Sequence, residues 1–150
     1  MASFDFKLEA LLTHRLHIEK EKQRRLAVVQ QQILILQRGI QETQNRIAQE
    51  NKTLGVTELT GRLDMQYIAH EKRFVGNLHV RIALAMEKLR GLEVTFNLAR
   101  TELLEAARGR KVLEKLREKQ LARWRMEMDR KETAQLDDVA SASAARVLMH

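Results

Sequence analysis

Apolar residues recur in alternating steps of three and four along most of the chain, the period of a helix that buries one narrow stripe. The first run passes through Phe4, Leu8, Leu11, Arg15, Ile18 and Lys22. After one four-residue slip it continues through Leu26, Val29, Ile33, Leu36, Ile40, Thr43, Ile47, Glu50 and Leu54. Such a slip is a stutter that locally relaxes a supercoil. From Leu26 to Leu54, seven of the nine positions are apolar, which predicts a helix over about 4–54.

The pattern stops at "NKTLGVTELTGRLD", where Gly55, Gly61 and three threonines cluster. Gly55 suits the left-handed position that ends a helix, and Thr57 or Thr60 suits the cap of a short one. With a second weak point at "VGN", Val75–Asn77, the stretch 55–77 reads as a bend carrying a short helix. A second seam then runs through Ile82, Ala85, Leu89, Leu92, Phe96, Ala99, Leu103, Ala106, Arg110 and Leu113. It predicts a helix over about 78–138, followed by a tail at 139–150, "VASASAARVLMH", expected to fray or be disordered.

Two long helices joined by a short bent connection predict an all-α fold, an antiparallel two-helix coiled coil. If Leu54 lies near Phe74 to Leu78, facing residues have numbers totalling about 130. Gly39 would then face Gly91, giving either a close backbone approach or two tolerated glycines. The same register sets the cations near Arg110 beside Arg15 and Lys22, so the termini are expected to gather at a positive, weakly self-packed end.

Composition sharpens this picture. The 150 residues include no proline or cysteine, 4% aromatics and 31% charged residues, a balance typical of long helices. Disulfides and thiolate metal sites are excluded. "MASFDFKLEA" has neither the basic nor the apolar region of a secretory signal, and no apolar run approaches a bilayer span, which predicts a cytosolic chain. The net charge is +7, and Ala107–Lys131 alone holds ten Lys or Arg against four Asp or Glu. An acidic partner is therefore expected.

Candidate chemistry is sparse. His14 and His17 stand three apart but lack a third ligand, so no metal site is expected. No phosphate-cradling glycine loop is present, so no cofactor and no hydrolysis by this chain are expected. Paired carboxylates such as Glu114 and Glu118 are solvated, so no catalytic residue is assigned. Lys111, Lys115 and Lys119 form a basic stripe. Against a nucleic-acid role, Arg110–Glu114, Arg123–Glu127 and Arg125–Asp129 are each four apart and can neutralise one another. No nucleic-acid partner is expected. Trp124 is expected to pack on the first helix near Phe4 or Phe6.

An N-terminal "FDFKLEALL", a glycine-bearing bend after about fifty residues, then "RKVLEKLREKQLARW" followed by "QLDDVA", resembles the flagellar export protein FliJ family. The likeness spans Phe4 to Ala140, its most specific part being Arg110–Gln120 with Leu136, Asp137 and Asp138 some twenty residues on. Trp124 stands where members often carry tyrosine, and Asp138 where they carry glutamate. The resemblance implies a non-enzymatic two-helix stalk of the type III export apparatus, peripheral to the inner membrane. Its implied partners are the hexameric export ATPase, the cytoplasmic domain of the export gate, and export chaperones. If the paired terminal helices enter the ring, Arg15, Lys22, Arg108, Arg110, Lys111, Lys115, Arg117 and Lys119 are the expected ATPase contacts. Tyr67, Phe74 and Leu78 are then the expected gate contacts. A virulence-injectisome stalk and a basic nucleic-acid binder remain the alternatives. The seam leaves open whether the free chain is a monomer or a weak homodimer.

Overall fold

The computed structural model describes residues 3–59 and 64–149, apart from the side chains of 58 and 59. Helix α1 runs Glu9–Leu59 and helix α2 runs Met65–Leu148. Their pairing is antiparallel: Glu9 meets Arg117 while Glu19 meets Arg110, and Lys22 meets Glu102 while Arg46 meets Phe74. The chain divides into two packed units, one of Met1–Lys20 with Glu105–His150 and one of Glu21–Leu104.

Within Glu21–Leu104 the predicted stripe is the one that packs. Every seam position from Leu26 to Leu54 is buried or half-buried, as is every one from Ile82 to Leu103. Val29, Ile40, Ile47, Leu54, Ile68, Leu78 and Ala99 lie deepest. Fully burying such a side chain contributes roughly 1.5–3 kcal/mol, and this outweighs the poor helix propensity of the scattered glycines.

The expected bend is much shorter than 55–77. Gly55 lies inside α1, which continues to Leu59. Thr57 donates its hydroxyl back to the Thr53 carbonyl at 2.9 Å, so it extends the helix instead of capping one. Thr60 and Gly61 lie outside the described residues. The cap of α2 is Asp64, whose carboxylate accepts from the amides of Gln66 and Tyr67 at 3.1 and 3.3 Å. No separate short helix exists at 65–77, because Ile68 and Leu78 are buried on one face and carry α2 through Gly76.

The register shifts accordingly. A total of 130 would set Leu84 opposite Arg46, yet the guanidinium lies over Phe74, 4.9 Å from the ring centroid. Gly39 lines an open groove with Arg81, Ile82 and Ala85. Added Cβ atoms at Gly39 or Gly91 would meet nothing within 4 Å, so these are two tolerated glycines and not a close approach.

In the other unit, residues 3–8 are not helical, and the buried apolar side chains are Phe6 and Leu12, which cluster with Leu113. Leu8 and Leu11, which a helix starting at Phe4 would bury, are 37% and 39% exposed. The non-helical stretch before Glu9 instead adds Phe6, with Phe4 against it, to a small cluster with Leu12 and Leu113. The stretch 139–150 also differs from expectation, as α2 continues to Leu148. Its alanines are the best helix formers and no proline interrupts them.

Candidate interaction surfaces

The eight cations expected to face a partner divide into two kinds. Arg110 is half-buried in the seam, paired with Glu19 of α1 and, at 2.7 Å, with Glu114 one turn along α2. The hydrogen bonds it donates to both carboxylates raise the guanidinium's pKa further, Glu19 contributing most. Arg117 donates to Glu9 at 3.0 Å and lies over the Phe4 ring at 5.8 Å. Lys22 donates to Glu102 at 3.1 Å, with Arg25 adding a second contact at 3.4 Å. The Lys22 ammonium, through that hydrogen bond first, holds the Glu102 carboxyl below its ordinary value. Arg15 folds over Gly109, its Nη1 3.3 Å from where a Cβ would stand.

Arg110, Arg117 and Lys22 are therefore joints of the hairpin itself. The terminal region was expected to be positive and weakly self-packed, and Glu19 and Glu9 give two of its cations partners on the other helix. Glu19 sits beside the seam residue Ile18, and an acid there facing Arg110 was a readable signal.

The second kind remains outward. Arg108, Lys111, Lys115 and Lys119 are exposed, and none of the four makes an ion pair among the described residues. Steps of three, four and four set them on one face of α2. Val112, 66% exposed, and Leu116 lie beside them, so this face mixes cations with apolar surface.

Trp124 packs where expected, its ring 6.1 Å from that of Phe4 with the planes at 57°. The three residues expected at the gate are unlike one another. Leu78 is 3% exposed and fills the seam, so it offers nothing to a partner. Phe74 is half-buried beneath Arg46. Tyr67 alone is open, at 42%. Near them Glu71 and Glu50 share a hydrogen bond, which raises the Glu71 carboxyl above its ordinary value, with the neighbouring His70 opposing.

No helix of the described residues is long and apolar enough to cross a membrane. Among the described residues there is also no group of three His, Asp or Glu placed to hold a metal ion.

No curated protein and no solved structure matches the chain. The family model described as "Flagellar FliJ protein" matches residues 4–148, nearly the whole sequence. That span includes the aromatic leader, both seams and the outward basic face, and the chain belongs to the flagellar FliJ protein family.

Proposed function

We propose that this protein is a non-enzymatic stalk of the flagellar type III export apparatus that docks into the hexameric export ATPase through the outward cations of α2. Family membership supports the flagellar export role. One observation carries the finer reading: Arg108, Lys111, Lys115 and Lys119 share one face without an internal partner, while Arg110, Arg117 and Lys22 are tied within the hairpin. Four unneutralised cations on a stiff helix present a field that an acidic surface can recognise, and such charge acts mainly on encounter rate and register. Arg15, leaning on Gly109, supports this face from α1. The gate contact falls to the exposed Tyr67, beside the half-buried Phe74. The protein works at the inner membrane as a peripheral component, and its exposed apolar positions suit chaperone-like contacts with export partners.

The test is stimulation of the purified export ATPase at low and high salt. Reversing Lys111, Lys115 and Lys119 to Glu leaves helicity unchanged, since none of the three holds the fold. Each reversed contact weakens docking by an amount on the order of 1 kcal/mol in water, so stimulation at subsaturating stalk falls by about tenfold or more. The difference from the natural chain narrows as salt rises and screening shortens. Unchanged stimulation at low salt rejects this face as the contact. Binding that disappears on nuclease treatment would instead favour a polyanion partner.

A further inference from the structure

Helix α2 carries a second apolar stripe on the side away from its seam. Val80, Leu84, Val94 and Leu98 are 57%, 67%, 61% and 61% exposed. With Glu87 and Gly91 between them, these positions are spaced by four, three, four, three and four. That is a heptad seam with nothing of this chain upon it. The seam residues Ile82, Ala85, Leu89, Leu92, Phe96 and Ala99 lie about half a helical turn round, at the α1 side, so α1 cannot cover both.

The spacing reads the same in both directions about residue 89. A two-fold axis there sets Val80 against Leu98 of a second copy, and Leu84 against Val94 of that copy. The pairing is isologous and self-complementary. Charge follows the same symmetry. Glu87 and Arg90 are both more than 70% exposed and already touch within one chain at 3.4 Å. In the antiparallel pair each Glu87 faces Gly91 of the other copy, one residue from Arg90, so an ion pair can form across the interface. A parallel pair would set Glu87 against Glu87, a like-charge contact. Lys88, the remaining cation near the axis, lines a groove with Gln32 and Leu36 and so lies back toward α1.

We propose that this stripe is a self-association surface, through which two copies of the chain pair antiparallel along α2. The proposal is independent of the ATPase contact, which uses other residues. Four apolar side chains along about 28 Å of helix fall short of a standard interface, so the dimer is weak and reversible.

Sedimentation or light scattering of the full chain over a range of concentrations provides the test. The mass is expected to rise from 17.5 kDa toward twice that value. The Leu84→Lys, Leu98→Lys double variant stays at the single-chain mass with unchanged helicity, and its self-association weakens at least tenfold. Glu87→Arg and Arg90→Glu each weaken pairing, while both together restore it. The natural chain has no cysteine, so introduced ones report alone. Under mild oxidation, Val80→Cys mixed with Leu98→Cys yields a cross-linked pair, and Val80→Cys by itself does not. A chain that remains at 17.5 kDa at all concentrations overturns the proposal. So does a dimer that tolerates both lysines, or one that cross-links Val80→Cys to itself. Heteromeric capture of another helical protein by a strictly monomeric chain would assign the stripe to that protein instead. ATPase stimulation by the lysine variant remains normal if the two surfaces are separate, which keeps this outcome apart from failure of the docking face.

Discussion

Adjacent residues on α2 give a sharp test of which face packs. Leu113 is 9% exposed and touches Phe6 and Leu12, whereas Val112 is 66% exposed. Leu113→Ala removes three buried carbons, each contributing about 0.8 kcal/mol, or roughly 2.4 kcal/mol together. The cavity contribution is small because the cluster lies near the end of the paired helices and can collapse. That loss corresponds to about a 60-fold change in the folding equilibrium and a fall in melting temperature of roughly 5–10 °C. Val112→Ala removes little buried area and gains helix propensity, so its effect stays within about 0.5 kcal/mol. Trp124, the only tryptophan and packed at a tilt against Phe4, gives a fluorescence signal from this unit, while circular dichroism follows both helices. The Trp124 transition is expected to move in Leu113→Ala and to stay in Val112→Ala. Equal shifts would mean that the Phe6–Leu12–Leu113 cluster is not formed, and a larger shift for Val112→Ala would mean that α2 is rotated about its axis.

Gly91→Ala should stabilise the protein by about 0.5–1 kcal/mol in denaturant melts, because the position is helical and an added methyl meets nothing within 4 Å. Gly109→Ala should gain less, since the Arg15 side chain 3.3 Å away must first shift; equal gains would show that Arg15 does not rest there. Glu102→Gln probes the pH dependence. The Glu102 carboxyl is lowered in the folded chain, so its contribution is present above its ordinary 4.5 and is lost as pH falls through the folded value. The variant should melt below the natural chain at pH 7, and the two should converge in acid. A gap that persists unchanged in acid would show that the Lys22 contact is not the cause.

The seams of both helices were legible because burial here follows one stripe per helix. Glu50 and Thr43 break that stripe in composition, yet both are half-buried at their seam positions. What could not be read was where the chain turns. Gly55 looks like a stop, and only the burial of Ile68 and Leu78 against α1 shows that the helices reach closer to each other. Misplacing the bend shifts the register of the stretch nearest it, where Arg46 meets Phe74, which is why Gly39 and Gly91 were set opposite. The basic surface was legible as composition but not as availability. Arg110 and Lys119 look alike in the sequence, and only the facing carboxylate of Glu19 separates a structural cation from an outward one. Leu78 was placed on helical spacing with Tyr67 and Phe74, but that spacing identifies a shared face and not which members lie beneath the surface.

From Asp129 to Met149 every described residue is exposed. A solitary helix of that length is marginal in water, since cooperative stability comes from packing and not from propensity. Its amides should therefore exchange with solvent long before those of the paired stretches, and proteases should trim it first. Whatever grips this end meets a segment whose coil form lies close in free energy, so contact there can wind or unwind it without melting the hairpin behind it.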